Sequence, residues 1–257
     1  MGKLALITGA STGIGKELSY IHAATGGDLI IVARRKEKLD QLKVDLENKY
    51  SIHVKVIVKD LSLPNAAKEI YTEIKDSGLK VDYLINNAGF GGVGKFYERK
   101  WEEDHAMLMV NIMALTSLSR LFLPDFVRRN SGRILNVSSS AAFLPGPLQA
   151  VYYASKSYVT SLSNALAEEL HDTNVTVTAL MPGATETEFA KVSGMDKTAG
   201  FSTGYNAHKV ALEGYNGMLK GELNIVSALF SQKLMVKLIP FMPRKMLLKE
   251  IRKMQEV

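Results

Sequence analysis

Residues 4–15 read LALITGASTGIG, in which an apolar run leads directly into a turn with glycine at positions 9, 13 and 15. The run has the length of a strand, and the residues from Ile14 onward follow a helical period. Glycine lets a backbone turn sharply and approach an anion closely, and the free N–H groups at the start of a helix favour phosphate. The segment therefore predicts a strand, a turn that binds a pyrophosphate, and a helix. The alternative is a tight turn without a ligand.

Apolar runs rich in β-branched residues alternate with helical stretches along most of the chain, as a parallel sheet with crossover helices requires. Strands are predicted at residues 3–8, 28–33, 52–58, 82–86, 132–138 and 174–181. Helices are predicted near residues 14–25, 36–50, 64–77, 103–129, 150–171 and 206–220. The pattern indicates an α/β fold, a doubly wound parallel sheet of six strands in a single domain over residues 1–257. Ligands are then expected at the carboxyl ends of the strands.

The alternation weakens after residue 182. Residues from about 184 to 205 are rich in glycine, serine and threonine, and a loop of this length predicts a lid or substrate loop. A further apolar segment from Leu223 to Leu229 has no assigned structure. Residues from about 230 to 257 form a C-terminal amphipathic extension. Its apolar positions at helical spacing are Leu247, Leu248, Ile251 and Met254. We expect this face to pack on the body or on another subunit, with weak peripheral membrane contact as the alternative.

Composition narrows the function classes. The chain has no cysteine and its five histidines lie far apart, so no metal site is expected. The net charge of +6 comes from lysine and arginine spread along the chain without a nucleic-acid motif, so no nucleic-acid partner is expected. No signal-peptide pattern and no apolar run long enough to span a bilayer are evident, which predicts a cytoplasmic protein.

Two other motifs overlap the glycine turn. Residues 9–13 read GASTG, the pattern of a hydrolase nucleophile, but only eight residues precede it and a nucleophile elbow needs earlier strands. Gly15-Lys16 resembles the end of an NTPase phosphate loop, but Glu17 stands where a magnesium-binding hydroxyl is required. A serine hydrolase that uses Ser11 is therefore a minor alternative, and NTP hydrolysis is disfavoured.

The second predicted strand ends in Ala33-Arg34-Arg35-Lys36. An acidic residue at this position commonly holds the ribose 2′-hydroxyl of NAD, whereas arginine accepts the 2′-phosphate of NADP. The absence of a carboxylate favours NADP(H), with Arg34 as the main contact and Arg35 in support. The alternative is a pair of ordinary solvated charges.

Tyr152 and Lys156 lie four residues apart, so a helix places them on one face. A nearby ammonium stabilises a phenolate, so the pKa of Tyr152 is expected to be lowered and Tyr152 to act as a general acid or base. Tyr153 is the competing phenol, because it also lies near Lys156 in sequence. The pair alone is weak evidence, since this spacing is common on ordinary helices.

Further polar residues follow other predicted strands. Residues 138–140 are three serines after the fifth strand, where a hydroxyl can bond a reacting oxygen, and residues 86–89 read NNAG after the fourth. Asn111 interrupts an otherwise apolar helix, where it either faces a polar pocket or opens the helix for a water. The alternative for the serines is a polar turn.

Taken together, these motifs resemble the short-chain dehydrogenase/reductase family over nearly the whole chain to about residue 220. The resemblance implies a catalytic set of Asn111, Ser139, Tyr152 and Lys156. Tyr152 would be the general acid, Ser139 would hold the substrate carbonyl, Lys156 would bind the nicotinamide ribose and Asn111 would position a water. The expected cofactor contacts, from the motifs and the resemblance, are Gly9, Ser11, Thr12, Gly13, Ile14, Gly15, Arg34, Arg35, Asp60, Leu61, Asn87, Ala88, Gly89, Tyr152, Lys156, Pro182, Gly183, Thr185 and Thr187.

The sequence thus predicts an NADP(H)-dependent oxidoreductase. The presumptive pocket walls, residues 90–96, 141–148 and 189–205, are apolar and glycine-rich, which favours a hydrophobic ketone, aldehyde or secondary alcohol. The alternative is a nucleotide-binding protein on the same scaffold without turnover. Family members commonly form dimers or tetramers, so a homodimer or homotetramer is expected by analogy.

Overall fold

The computed structural model describes residues 2–195, 198, 204–229, 234, 236, 238, 239 and 242–256. Within these residues, seven parallel strands form one sheet in the order β3-β2-β1-β4-β5-β6-β7. The strands are β1 (Ala5–Thr8), β2 (Leu29–Ala33), β3 (Val54–Val58), β4 (Tyr83–Asn86), β5 (Gly132–Val137), β6 (Val175–Pro182) and β7 (Asn224–Ser227). The predicted α/β class and doubly wound parallel sheet are confirmed. Strand order reverses between β1 and β4, which opens a crevice at the carboxyl ends of these strands.

The sheet has one strand more than the six predicted. The unassigned apolar segment from Leu223 to Leu229 contains β7, which pairs in parallel with β6 from Ala179 opposite Asn224 to Pro182 opposite Ser227. Strand β7 has only four residues and begins at an exposed asparagine, so its sequence is too short to show the alternation typical of a strand. Its pairing with β6 is therefore visible only in the folded structure.

Helices cover both faces of the sheet. They are α1 (Gly13–Ala24), α2 (Lys36–Tyr50), α3 (Ala66–Asp76), α4 (Trp101–Leu108), α5 (Leu115–Arg128), α6 (Ala150–Glu169), α7 (Glu188–Ser193), α8 (Ala207–Lys220) and α9 (Arg244–Gln255). A π-helical segment, Met109–Ala114, joins α4 to α5, and a 3₁₀ turn, Ser140–Phe143, follows β5. The predicted substrate loop contains α7, while part of this loop and part of the predicted C-terminal extension lie outside the described residues.

Two apolar cores lie on opposite faces of the sheet. On one face, Ile7 and Ile31 pack with buried residues of α1, α2 and α8. On the other, Leu6 and Ile30 pack with α3 and α5, including Phe122. Because both faces are covered, successive residues of β1 and β2 are all buried, which explains their continuous apolar runs.

The segment Trp101–Arg128 corrects one sequence-based expectation. It forms a continuous helical stretch that is long and apolar enough to cross a membrane, judged by length and composition alone, and it is the one such stretch among the described residues. No such run was expected from the sequence. It passes this test because the helix continues through the π-helical segment. A core helix has the same character, and here Leu118, Phe122 and Phe126 are buried against the sheet.

The C-terminal helix α9 packs on its own chain. Leu247 and Ile251 are buried with Ile239, against Phe143 and Leu144 of the segment that follows β5. Leu247 and Ile251 of the predicted apolar face are therefore turned inward, whereas Met254 is 41% exposed. Contact with another subunit or with a membrane stays a prediction.

Candidate active site

The glycine turn after β1 is tied to the end of β4. The Asn87 side-chain nitrogen Nδ2 donates to the backbone oxygens of Thr8 (2.9 Å) and Gly9 (3.2 Å), and Thr8 Oγ1 accepts from the backbone nitrogens of Asn87 and Ala88 (both 3.1 Å). Gly9 has a positive φ of 66°, and a Cβ at residue 15 would lie 2.4 Å from Asn87 Nδ2. Glycine is required here because the two strand ends approach so closely.

The two arginines after β2 differ in their surroundings. Arg35 Nη2 donates to the hydroxyls of Ser11 (3.3 Å) and Thr12 (3.2 Å), and its Nη1 donates to Glu188 Oε2 at 2.8 Å. Arg34 lines the same crevice near Asp60. Since the Ser11 hydroxyl is bonded to a cation rather than to a base, the geometry gives no support to a serine hydrolase.

Asp60 follows β3 and is held by a local turn. Its Oδ1 accepts from the backbone nitrogen (2.9 Å) and the hydroxyl (2.8 Å) of Ser62. Burial raises the pKa of Asp60, but these hydrogen bonds and the charge of Arg34 outweigh it and hold that pKa below its ordinary value. An ionised acceptor therefore faces the cavity beside buried Leu61.

Asn111 lies inside the π-helical segment, behind the wall of the crevice. Its Nδ2 donates to the Phe90 backbone oxygen (2.9 Å) and to Ser155 Oγ (3.1 Å), and its Oδ1 accepts from the Phe90 nitrogen at 3.1 Å. The side chain is 1% exposed and joins the loop after β4 to α6. The helix widens into the π-helical segment at this residue, and the Asn111 side chain bonds protein groups on both sides.

The three serines after β5 have different partners. The buried Ser138 hydroxyl donates to the Lys156 backbone oxygen at 2.8 Å and also bonds Thr160. Ser139 accepts from the Ala141 nitrogen at 3.1 Å, which caps the 3₁₀ turn. Of the three, only Ser139 is within hydrogen-bonding reach of the Tyr152 phenol.

Tyr152 and Lys156 lie together on the inner face of α6. Tyr152 is 8% exposed and Lys156 is 4% exposed, with Lys156 Nζ 5.8 Å from the centre of the Tyr152 ring. Lys156 Nζ donates to the Val137 backbone oxygen at 2.9 Å. The predicted one-turn spacing therefore brings an ammonium and a phenol into the same buried site.

The protonation of this pair differs from the expectation. Burial raises the pKa of Tyr152 above its ordinary value, and the hydrogen bond with Ser139 opposes this rise only in part. Burial also lowers the pKa of Lys156 to about 8. The prediction that the pKa of Tyr152 is lowered is wrong for this geometry, because burial of the phenolate dominates and raises that pKa.

Tyr153, the competing phenol, is directed towards α9. Its hydroxyl accepts a hydrogen bond from Gln255 Nε2 at 3.0 Å, and its ring packs over Gly146. The rings of Tyr152 and Tyr153 meet edge to face, with their centres 6.0 Å apart. The two phenols thus have separate hydrogen-bond partners.

The end of β6 completes the crevice. The Gly183 nitrogen donates to the Ser227 oxygen at 2.9 Å, and the Thr185 hydroxyl donates to the Gly183 oxygen at 2.9 Å. Thr187 caps α7 by accepting from the Phe189 nitrogen at 3.2 Å. Its methyl group faces Gly13, where a Cβ would lie 3.0 Å away. The loop after β6 therefore packs directly over the glycine turn.

These elements enclose a cavity of about 490 Å³. Among the described residues, every predicted site residue except Gly15 and Asn111 lines the cavity. Gly15 packs behind the turn, and Asn111 supports the loop that contains Phe90. Pro182, one of the expected cofactor contacts, lies in its wall with Ser139.

Several lining residues were not predicted. Glu188 of α7 binds Arg35, and Gln149, Met254 and Gln255 also border the cavity. A signal for Gln255 was present in the sequence, because Leu247, Ile251 and Gln255 fall at successive four-residue intervals on the buried face of α9. Gln149 had no such signal, since it lies in a turn before α6.

The sequence model of the short chain dehydrogenase family matches residues 3–198, which contain the glycine turn, Ser139, Tyr152 and Lys156. The chain belongs to the short-chain dehydrogenase/reductase family. Members of this family are oxidoreductases that act on CH–OH or C=O groups with a nicotinamide cofactor.

Some similar proteins are longer than this chain, and others have about the same length. The very-long-chain 3-oxoacyl-CoA reductase of Homo sapiens is 32% identical over 198 residues, which cover 75% of this chain and 62% of the relative, so the chain matches less than two thirds of that protein's length. A short-chain dehydrogenase from Sphingobium yanoikuyae, solved in complex with NADPH, has a TM-score of 0.84 and 30% identity, covering 99% of this chain and 98% of that one.

A second solved structure is also similar over nearly its full length. The bulky-bulky ketone specific alcohol dehydrogenase from Comamonas testosteroni has a TM-score of 0.80 and 28% identity, covering 99% of this chain and 97% of that one. Solved structures with this fold hold NADPH in one case and NAD in another, so the family by itself does not decide between the two cofactors.

Proposed function

We propose that this chain is an NADP(H)-dependent oxidoreductase of hydrophobic ketones, aldehydes or secondary alcohols, with Tyr152 as its proton donor and acceptor. One observation carries the proposal. The buried Tyr152 phenol, bonded to Ser139 and next to Lys156, borders the same cavity as the glycine turn and Arg34.

The residues at the glycine turn fit a dinucleotide. At Gly9 the turn lies so close to Ala88 that only glycine fits. The first N–H groups of α1 follow this turn, and the start of a helix favours binding of a pyrophosphate. Arg34 and Arg35 would hold a 2′-phosphate, and Lys156 would hold the nicotinamide ribose. The bound cofactor supplies the hydride that reduces the carbonyl carbon.

The side chains around Tyr152 suit the reductive direction. The Tyr152 phenol is protonated at neutral pH, so it holds the proton that the substrate oxygen must receive when the carbonyl is reduced. Ser139 lies beside it and would bond the same oxygen. Asn111 positions both sides of the site through Phe90 and Ser155 rather than by lining the cavity.

The surroundings of Tyr152 support an apolar substrate. Its ring packs with Phe189 at 5.7 Å between centres, and Met195, Phe90 and Leu144 belong to the same apolar cluster. The names of two similar proteins, a reductase of very-long-chain 3-oxoacyl-CoA and an alcohol dehydrogenase specific for bulky ketones, agree with this choice.

Fluorescence titration with NADPH and NADH tests the cofactor part of the proposal. We expect tighter binding of NADPH, and we expect Arg34→Asp to narrow or invert the preference because it removes a cation and adds an anion. Arg120→Asp, an equal charge change at an exposed site on α5, is the matched control and is expected to keep the preference. Equal affinity of the natural chain for both cofactors would contradict the assignment.

Absorbance assays with saturating NADPH over a panel of hydrophobic ketones and aldehydes test the catalytic part. Tyr152→Phe is expected to lower kcat/KM by at least about a hundredfold, the effect of losing a general acid. Tyr158→Phe is the matched control, because Tyr158 lies on the same helix outside the cavity. Cofactor binding without turnover of any carbonyl would instead indicate a binding protein.

We also propose that the protein works in the cytoplasm as a homodimer or homotetramer. Both statements come from the sequence pattern and from analogy with the family. Light scattering on the purified chain measures the assembly directly.

A further inference from the structure

Three aromatic side chains are exposed on the segment that leads into α4. Phe96 is 67% exposed, Tyr97 is 78% exposed and Trp101 is 63% exposed. A single exposed apolar residue is ordinary, but three aromatic rings so close in the sequence form a patch, and such patches mark interaction sites. Tyrosine and tryptophan rings are also enriched where lipid meets water. We call these three residues the aromatic patch.

The C-terminal helix α9 supplies positive charge. Its exposed charged residues are the cations Arg244, Lys245, Lys249, Arg252 and Lys253 and the carboxylates Glu250 and Glu256. The two carboxylates pair within the helix, one with Arg252 at 2.8 Å and the other with Lys253 at 3.1 Å. The other three cations have no carboxylate partner among the described residues. The exposed face of α9 therefore carries positive charge that the described part of the chain does not neutralise.

The aromatic patch and α9 lie side by side. The Arg99 nitrogen donates to the Lys95 backbone oxygen at 3.2 Å, so the chain turns here, and Lys95 Nζ lies 5.7 Å from the centre of the Tyr97 ring. The hydrogen bond with Glu98 is the main cause that raises the pKa of Lys95, and the charge of Arg252 acts in the opposite direction. Arg252 of α9 is therefore close to this turn. Cations brought together in this way favour a partner that supplies negative charge.

The same surface extends to the edge of the cavity. Ile251 and Met254 of α9 line the cavity, and Met254 is also exposed. Val192 of α7 likewise lines the cavity and is exposed. Apolar side chains thus connect the cavity with the outside of the protein at α9 and at α7. An apolar molecule held in a lipid layer against this surface would lie next to the cavity.

We propose that the aromatic patch and the exposed face of α9 form a docking surface for a membrane that contains anionic phospholipids. Negative headgroups attract the cations, each of which contributes about fivefold in affinity, and exposed rings insert among the headgroups. The contact is peripheral, because Leu247 and Ile251 stay packed on the protein. A second copy of the chain fits less well, since a symmetric contact would bring two positive faces together. The inference goes beyond the proposed function, and its test needs no turnover.

Trp101 is the only tryptophan in the chain, so its fluorescence reports on this surface alone. The natural chain is mixed with vesicles of phosphatidylcholine or with vesicles of equimolar phosphatidylcholine and phosphatidylserine. Sedimentation measures binding, and the emission wavelength measures the surroundings of the indole ring. We expect binding to the anionic vesicles to be at least about tenfold tighter, with a blue shift of the Trp101 emission. Both effects are expected to weaken at high salt, because the charges are exposed.

A charge-reversal variant and a matched control locate the cations that act. Lys245→Glu/Lys249→Glu is expected to lower the affinity for the anionic vesicles by at least about twentyfold, because two cations are replaced by anions. Lys209→Glu/Lys220→Glu makes an equal charge change at exposed positions of α8, which packs with α1 on one face of the sheet. This control is expected to keep most of the affinity. Trp101 is present in both variants, so the emission shift can be compared directly.

Each other outcome would overturn the proposal. Equal sedimentation with both vesicles, or none with either, would show that the surface does not recognise anionic lipid. Sedimentation without a change in Trp101 emission would place the contact elsewhere on the chain. A blue shift that appears at high protein concentration without lipid would show that the surface joins two copies of the chain. Cofactor binding and ketone reduction are measured without vesicles, so a failure of lipid binding leaves the proposed function standing.

Discussion

Lys156 is the residue at which function and stability oppose each other most directly. Its ammonium is almost fully buried beside a phenol, with one hydrogen bond to the Val137 backbone oxygen. Burial lowers its pKa to about 8 from an ordinary value of 10.5. The folded chain therefore holds this proton more weakly than the unfolded chain does, so the buried ammonium reduces the free energy of unfolding at neutral pH.

The sign of this effect predicts a pH dependence. Above pH 10.5 Lys156 is neutral in both states, and as the pH falls towards 8 the unfolded state gains the proton first, so stability is lost. We expect the free energy of unfolding of the natural chain, relative to Lys156→Met, to rise by about 3 kcal/mol from pH 8 to pH 10.5, since each pH unit contributes about 1.4 kcal/mol. Urea unfolding of both proteins across this range measures it.

A matched control removes an ammonium without burial. Lys209→Met changes an exposed lysine on α8, and it reports the effect of losing one lysine from the surface. A difference between the natural chain and Lys156→Met that stays constant from pH 8 to pH 10.5 would contradict the burial argument. Reduced turnover is expected in Lys156→Met at every pH, because the side chain is part of the proposed site.

At the scale of elements, α7 is joined to the turn between β2 and α2. Glu188 accepts from Arg35 Nη1 at 2.8 Å and from Lys38 Nζ at 2.6 Å, and hydrogen bonds from Lys38 and Arg35 hold the pKa of Glu188 at about 2. Glu188 is thus ionised at any working pH. A 2′-phosphate on the cofactor would compete with this carboxylate for the same cations.

The competition predicts the effect of Glu188→Gln. Removing the carboxylate is expected to lower the Kd for NADPH by about two- to fivefold, the range that an exposed ion pair provides, and to lower the Kd for NADH less. The gain is expected to shrink at high salt, because exposed charges are screened. Glu250→Gln, an equal charge change on α9, is the control in the same titrations. Equal gains for both cofactors would show that the 2′-phosphate is not involved.

At the scale of the whole molecule, one sheet supports both apolar cores. Successive residues of β1 belong alternately to the two cores, so neither core persists when the sheet is lost. The crevice at the carboxyl ends of β1 and β4 is part of the same sheet. Folding and cofactor binding are therefore expected to be linked.

This linkage predicts one unfolding transition that depends on cofactor. NADPH at a hundred times its Kd is expected to add about 2.7 kcal/mol to the free energy of unfolding and to raise Tm by about 5–10 °C. Calorimetry with NADPH, and with NADH at the same concentration as the control, measures the shift. Two separate transitions would contradict a single domain over residues 1–257, and equal shifts would contradict the proposed cofactor preference.

The sequence by itself determined the features that depend on neighbouring residues. The unit from β1 through the glycine turn to α1 follows from local composition, and the placement of Tyr152 and Lys156 on one helix face follows from helical period. Six of the seven described strands were predicted for the same reason. The class of reaction followed once these motifs were seen in order.

Only the tertiary structure decided the features that join distant parts of the chain. Arg35 is hydrogen-bonded to Glu188, which lies 153 positions away in the sequence. Gln255 is hydrogen-bonded to Tyr153 and Gln149, which lie 102 and 106 positions away. The seventh strand and the opposite pKa shifts of Tyr152 and Lys156 belong to this group as well. The physical reason is the same for all of them. The packing of the elements determines which atoms are buried and which partner each buried polar atom has, and the local sequence pattern does not determine that packing.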